Sequence, residues 1–562
     1  MTQSHPTQIP PGATPSETET PKVSPPLAVE ENPMAGGMAA GMTGVRGGAN
    51  MYGAFSIETF CDQGALSYTH EDAKGWLDYV TKFTPANFWY KDAGVRVWAY
   101  YEDYDNWQDT YGMDAVRAVY HSGHGGMDAN GVFYVPMGAD WGGLGCTAIS
   151  SKMYLGNEHA RYIFWSTCFS LRVLDGQNPI KTWGNSPNPG WGMIFGFETT
   201  SVDSGDYGSN FWNHWKAGES FSTAWLNASW DIAHNQAPSV VACGATKEEA
   251  IDRVFNERLF NGGQVSHNWY WWRWYNASTA AREPQLSLPQ NLLIARLQPV
   301  AAVKPSASTL AERFGLDLRI PGEVTAAPDG SFRFFDGDVS IAHSSDGSLN
   351  VQLARPNRTN RAQMATQRSI SLAQEAVRRY GLDQQVPLVF DRVLFSSEAG
   401  GTANGSGQIE GPYTTGTIVQ FRQLINGLPV ITPGAGTVRI SIDNDGTVTN
   451  VHSSVRAIEQ LSNRPMSTAG APTPAGATSS PPSPEPTNYE QMLAAEFGKL
   501  LTSWVVKGGG QMPLGFTTVP GSTEIGYDIR GNEAIVIAHK VVEVDFGNGY
   551  RKRYLVTVPL FA

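Results

Sequence analysis

Short apolar runs that stop at glycine or small polar residues mark the first half of this chain. Ala115 to Tyr120 runs into His121-Ser122-Gly123-His124-Gly125-Gly126, and Tyr162 to Trp165 runs into Ser166-Thr167-Cys168. Runs of this length and composition predict buried strands that end in loops. Gly131 to Val135, Gly192 to Phe197 and Ser239 to Cys243 predict further strands, the first of them half of a hairpin beside the histidine loop. Val95 to Tyr101 alternates with a period of two and predicts another strand. Between them the spacing changes. Trp76, Tyr79, Val80 and Phe83 repeat at helical intervals and predict a helix over 71–83, Ser150 to His159 predicts a short one, and Asp103 to Asp109 predicts an acidic, solvated loop. His214 and His234 fall on predicted helices, where an exposed face is the default.

The pattern changes after residue 280. Residues 310–460 predict strands with turns at Asp329-Gly330, Asp346-Gly347 and Asp445-Gly446, and a helix from Ser371 to Tyr380 opened by a Ser371 and Gln374 capping box. A further helix is predicted from Thr487 to Leu501, then strands over Ala534–Asp545 and Tyr554–Leu560. The domain reading is a disordered tail at 1–50, an α/β unit at 51–295, an α+β unit at 305–463, a Pro/Ser-rich linker at 464–486 and a small α+β unit at 487–562. With alternating strands and helices in the first unit, the fold class is α/β with a mostly parallel sheet flanked by helices, followed by smaller α+β domains.

Composition narrows the function classes. The 562 residues are too many for one core, and 41% apolar content with 17 Trp, 21 Tyr and 24 Phe supplies several. The net charge of −12 argues against a nucleic-acid partner, because no basic stripe is present to neutralise phosphates. No run of 18 apolar residues predicts a membrane span, and the N-terminus has no basic and apolar leader pattern. Four cysteines in a chain of this length are not a disulfide framework. Cys61 and Cys146 pair only if the compartment is oxidising, which composition leaves open.

Parallel sheets present reactive groups at the carboxyl ends of their strands. That placement gives His124 and Cys168 a shared edge. A free thiol is only a few per cent thiolate at neutral pH, so thiol catalysis needs an imidazole beside it. The N–H groups of Gly125 and Cys168 are the candidate oxyanion donors. The competing reading makes Cys168 a buried small hydrophobe and His124 a satisfied loop histidine. His121 and His124 lack a carboxylate set at ligand spacing, so no metal is predicted.

The residues His121-Ser122-Gly123-His124-Gly125-Gly126 resemble the histidine loop of metacaspases and, more loosely, of gingipains, separase, legumain and CHAT-type peptidases. Ile163 to Cys168 resembles the strand that carries their nucleophile, and Phe211 to Ser220 with Ala224 resembles a helix pair of CHAT-type domains. The resemblance covers residues 55–245. It implies a caspase-like cysteine endopeptidase acting on a protein or peptide substrate, with catalytic His124 and Cys168 and no cofactor. Metacaspases place acidic residues directly before the cysteine. Trp165, Ser166 and Thr167 stand there instead, so a basic P1 preference is not supported. Asp128, Glu198 and Asp203 are weaker substrate-binding candidates, ordinary turn residues being the competing reading.

Ile418 to Ile431 with Val438 to Val448 resembles PepSY/FTP-type propeptide modules over about 370–455. The chain has no H-E-x-x-H, so the metallopeptidase that such modules accompany is absent. The resemblance implies a regulatory module in intramolecular contact with the peptidase unit, a zymogen arrangement and an extracytoplasmic setting. The rival expectation is an inactive, peptidase-like binding protein with an aromatic-rich surface. His267 to Tyr275 is the segment that would supply such a surface if it were exposed, though a core strand is the favoured reading of its aromatics.

Overall fold

The computed structural model describes residues 32–33, 50–184, 190–276, 292–300, 306–316, 331–336, 338–384, 386–403, 409–462, 489–509 and 511–560. The tail at 1–50 and the linker at 464–486 therefore lie almost entirely outside the described residues. The apolar runs of the first unit become β1 (Tyr52–Ser56), β2 (Phe88–Lys91), β3 (Ala118–Ser122), β4 (Gly126–Met127), β5 (Phe133–Pro136), β6 (Thr147–Ile149), β7 (Tyr162–Ser166), β8 (Met193–Phe197), β9 (Pro238–Gly244) and β10 (Trp269–Asn276). Helices α1 (Thr69–Val80), α2 (Asp105–Tyr111), α3 (Pro179–Trp183), α4 (Tyr207–Lys216), α5 (Phe221–Ile232) and α6 (Lys247–Asn256) connect them.

The sheet runs β2-β1-β3-β7-β8 with every neighbour parallel, and β9 and β10 then add antiparallel. Every residue of β1, β3, β7 and β8 is buried, as parallel strands covered on both faces require. Successive residues enter opposite layers. Tyr120, Phe164 and Phe195 pack with Trp76 of α1, Phe211 of α4 and Trp225 of α5, whereas Val119, Ile163 and Trp165 pack with Trp98, Phe133 and Trp183. The hairpin β4-β5, with β6, forms a separate three-stranded sheet beside the histidine loop.

The second unit supplies β11 (Ile294–Leu297), α7 (Ala307–Phe314), β12 (Phe332–Asp336), β13 (Val339–His343), β14 (Leu349–Gln352), α8 (Thr366–Arg379), β15 (Leu388–Thr402), β16 (Glu410–Ile425), β17 (Leu428–Pro429), β18 (Thr437–Asp443), β19 (Val448–Ser453) and β20 (Ile458–Ser462). Its sheet does not stand alone. β10 pairs antiparallel with β15 along its whole length, fusing both units into one mixed sheet of 15 strands. Trp271, Trp272 and Trp274 are each 1% exposed, so the aromatic run is the joint between two units and offers no aromatic surface.

The last unit contains α9 (Tyr489–Lys507), β21 (Gly515–Thr518), β22 (Glu524–Arg530), β23 (Glu533–Gly547) and β24 (Tyr550–Pro559). Its six-stranded sheet also takes in β11 and β20. It thus draws strands from 294–297 and 458–462 as well as from residues after 487. The described residues make a mixed α/β fold with nine helices, none of them long and apolar enough to cross a membrane.

Several local expectations need correction. Val95 to Tyr101 is not a strand: it holds a 3-10 turn at Val97–Ala99, and Trp98 and Tyr100 are buried along with Val97 and Ala99. Ser150 to His159 holds only a 3-10 turn at Ser150–Lys152. The rest is a loop clamped by buried Asp114, whose carboxylate accepts the N–H groups of Gly156, Glu158, His159 and Ala160. The acidic loop at 103–109 folds mostly into α2. Helix α8 begins five residues before Ser371, whose hydroxyl bonds back to the Gln367 carbonyl from inside the helix.

Candidate active site at two strand tips

Strands β3 and β7 run parallel and in register, with Ser122 opposite Ser166. The segments that follow leave the same sheet edge side by side, as the two apolar runs predicted. The Gly123 N–H donates to the Ser166 carbonyl at 3.4 Å. A Cβ on Gly125 would lie 2.7 Å from the Cys168 carbonyl oxygen and 2.9 Å from the Thr167 Cβ, closer than real contacts allow. Glycine at 125 is what lets the histidine loop close against the cysteine loop. After Cys168 the chain turns sharply, with Phe169 held at φ 57°. An aromatic residue rarely adopts that left-handed backbone, and such strain concentrates at functional positions.

His124 is fully buried. Its Nε2 lies 3.0 Å from the Gly64 carbonyl oxygen. A carbonyl only accepts, so Nε2 carries the proton and Nδ1 carries the lone pair. Among the described residues Nδ1 has no hydrogen-bond partner. The ring lies between Phe60, at 4.8 Å, and Phe546, at 4.7 Å. Burial, with the positive charge of Lys552 second, pushes its pKa down to about 3, so the imidazole is neutral at physiological pH. The loop that supplies Gly64 is pinned by a Cys61–Cys146 disulfide, the pairing that composition left open.

Cys168 is unpaired and 0% exposed. Its sulfur accepts the Ser201 N–H at 3.2 Å and lies 3.4 Å from the Ser201 hydroxyl. Its S–H donates to the carbonyl oxygen of Arg551 at 3.0 Å. The space at the two strand tips is filled. Residues 551–553 at the start of β24 lie across the strand tips. The Arg553 N–H donates to the Ser201 carbonyl at 3.1 Å, and the Asp203 N–H donates to the Arg553 carbonyl at 2.8 Å. These bonds make a parallel bridge between Val202 and Arg553. Lys552, 2% exposed, donates from Nζ to the Ser201 hydroxyl at 3.1 Å and to the Gly123 carbonyl at 3.4 Å.

The weaker candidates separate. Asp128 accepts the N–H groups of Asn130 and Val132 and is a turn residue. Glu198 is buried and committed to the N–H groups of Val173 and Leu174 and to Arg172, at 3.3 Å. Only Asp203 reaches the site. It is 6% exposed, and its Oδ2 accepts the Ser67 N–H at 2.9 Å. Burial raises its pKa to about 6, against the lowering pull of Lys552. His214 is not on an exposed helix face. It is buried between Glu219, at 3.2 Å, and Asp231, at 2.7 Å. Gly64, Ser201 and Lys552 are site residues that pattern reasoning missed. The one visible signal was Arg551-Lys552-Arg553, a basic triplet abutting a predicted strand in an acidic chain.

Residues 50–276 match the model of a family described as a domain of unknown function (DUF6345). The match ends on the last residue of β10, so it holds both strand tips and leaves out the strand that covers them. No curated protein matches the chain.

Proposed function

We propose that the unit over residues 50–276 is a caspase-like cysteine endopeptidase, and that the chain is a latent form closed by its PepSY/FTP-like and C-terminal modules. The observation that carries this reading is the set of bonds at the two tips. The His124 proton is held on Nε2 by Gly64, its Nδ1 has no partner among the described residues and is not bonded to Cys168, and a peptide carbonyl lies 3.0 Å from the Cys168 sulfur. A neutral imidazole with a free lone pair is what a general base must be.

With β24 withdrawn, His124 Nδ1 takes the Cys168 proton, and the sulfur attacks the carbonyl carbon of a peptide bond. The N–H groups of Gly125 and Cys168 hold the oxyanion. The imidazolium then protonates the leaving amine, and water, deprotonated by His124, cleaves the thioester to release the acid and regenerate the thiol. The low pKa of buried His124 suits the closed state. Loss of Lys552 and entry of water both raise it towards the ordinary imidazole value.

Cleavage of a denatured protein substrate after limited proteolysis of the full chain tests the reading. Cys168→Ala and His124→Ala each abolish turnover while retaining the parent thermal transition. Activity surviving in either variant refutes it. The inactive binding reading predicts no turnover under any treatment. The aromatic surface it would use is the buried strand β10.

A further inference from the structure

A cavity of about 600 Å³ lies between the first and second units, lined by α5 and α6 on one side and by β13, β14, β16 and β18 on the other. That volume is ordinary for a small-molecule site, where roughly 300–1,000 Å³ is usual. Arg273 of β10 and Arg358, from the loop between β14 and α8, both line it. Their guanidinium groups rest against one ring, that of Phe255 in α6, at 4.7 Å and 3.5 Å from its centre. Arg273 is 8% exposed, and Arg358 is half-buried. Arg273 donates only to neutral hydroxyls, those of Thr223 at 3.1 Å, Ser222 at 3.3 Å and Ser396 at 3.4 Å. Its Nε has no partner among the described residues.

Two like charges held against one ring are costly to bury unless an opposite charge joins them. Burial opposes the charge on both, and Arg273 opposes that on Arg358. Among the described residues no carboxylate lies within ion-pair distance of either guanidinium. Glu219, Asp252 and Glu398 act on them only through space. Each is committed elsewhere: Glu219 to His214 and Asn227, Asp252 to Asn256, and Glu398 to the Trp271 N–H.

We propose that Arg273 and Arg358 hold the phosphate group of a small, hydroxyl-bearing phosphomonoester, in a site to which both units contribute. A phosphomonoester carries close to two negative charges at neutral pH, which matches two guanidinium groups without carboxylate partners, whereas a carboxylate carries one. Guanidinium forks bind such oxyanions bidentately. Asn227, Gln352 and Asn450 add neutral amides to the walls for the rest of the molecule. None of these residues belongs to the strand-tip site, so phosphate binding here is independent of turnover at Cys168.

Isothermal titration calorimetry on the full-length chain at pH 7.5 tests this with inorganic phosphate, glucose 6-phosphate, glucose and glucuronate. The last three share a sugar body and differ in the group it carries. Glucose 6-phosphate is expected to bind saturably, one per chain, and to be displaced by inorganic phosphate. Glucose is expected not to bind, and glucuronate to bind at least fivefold more weakly. Arg273→Met and Arg358→Met should each weaken glucose 6-phosphate at least tenfold. Arg530→Met, which removes an exposed cation elsewhere, should change it less than twofold. Absence of saturable binding by both phosphate-bearing probes overturns the site, as does glucose binding as tightly as its phosphate. Unchanged affinity in both methionine variants also overturns it, because the ligand then sits elsewhere. Glucuronate binding as tightly as glucose 6-phosphate overturns the choice of phosphate. A phosphoserine peptide bound more than tenfold tighter than glucose 6-phosphate overturns a small-molecule occupant. Thermal transitions identify a variant that has lost its fold. Should Arg273→Met do so, Arg273→Lys replaces it: the charge stays but the fork is lost, and affinity should fall at least threefold.

Discussion

The Cys168 sulfur and the Arg551 carbonyl oxygen lie 3.0 Å apart although 383 positions separate them in the chain. The contact lays the main chain of the last strand against the sulfur, and it is held by two further bonds, from Arg553 to Ser201 and from Asp203 to Arg553. The sulfur is therefore covered by the last strand on one side and by Ser201 of the first unit on the other.

Loosening that strand should expose the sulfur. Proline at Arg553 removes the N–H that bonds to Ser201, whereas alanine keeps it and deletes only the ion pair with Glu543 at 2.8 Å and the side-chain bonds to carbonyls. One hydrogen bond contributes about 1 kcal/mol, so the open population in Arg553→Pro should exceed that in Arg553→Ala roughly fivefold. Iodoacetamide labelling of Cys168 measures it, and equal rates in parent and proline variant would contradict the arrangement.

His124 should leave a pH signature in stability. Its folded pKa of about 3 lies below the unfolded value of about 6.5, so the unfolded chain binds the extra proton between those limits. Stability contributed by the neutral ring is present above pH 6.5 and is lost as pH falls towards 3. In His124→Gln this loss is absent. The parent should lose about 2 kcal/mol relative to the variant between pH 7.5 and pH 5, at about 1.4 kcal/mol per pH unit below 6.5. Urea midpoints at the two pH values give the difference, and the pH-independent cost of the substitution cancels. A gap that stays constant would mean that the ring is already hydrated.

Gly125→Ala should damage the site by geometry alone. The added methyl meets the Cys168 carbonyl at 2.7 Å and the Phe133 ring at 2.8 Å. One of these is backbone, so the two loops must part. Overpacking of this kind costs about 1–3 kcal/mol. Thermal unfolding should show that loss, and turnover after activation should fall further than stability does, because the His124 to Cys168 distance changes.

The strand tips were legible because β3 and β7 each end in a small-residue loop, and a parallel pair in register has only one edge at which to put both loops. The aromatic run at 267–275 was legible as a core strand, but its partner β15 starts more than a hundred residues later and leaves no local trace. What closes the site was hidden for a related reason. Gly64 acts through a carbonyl, which every residue has, and Lys552 lies in the first residues of β24, ahead of the stretch Tyr554–Leu560 that the pattern predicts as a strand. The period-two alternation at Val95 to Tyr101 misled because Trp98 and Tyr100 are buried on the intervening positions. An exposed face is only the default for a histidine on a predicted helix, and His214 departs from it. Its side of the helix meets the second unit, and the polar residues are partners across the interface.

The last prediction concerns that interface. Asp231 accepts from His214 at 2.7 Å and from Arg439 of β18. Burial alone would raise the Asp231 carboxyl, yet Arg439 and His214 hold it far below its ordinary value. Burial also opposes the charge on His214, but Glu219 and Asp231 push its pKa up to about 10. Both partners are thus charged at neutral pH, in a place where water is excluded. Asp231→Asn leaves Arg439 without its counter-charge and His214 with Glu219 alone, and breaking a buried pair from one side costs about 3–5 kcal/mol. Because β10 and β15 share one sheet, the loss should appear as a lower midpoint of a single transition that includes both units, followed by tryptophan fluorescence in urea. The His214 share of the stability is present below pH 6.5 and wanes as pH rises towards 10. The gap between parent and variant should therefore narrow at pH 9. Two separate transitions in the parent, or no change of midpoint in the variant, would show that the units fold independently and that the ion cluster does not hold them together.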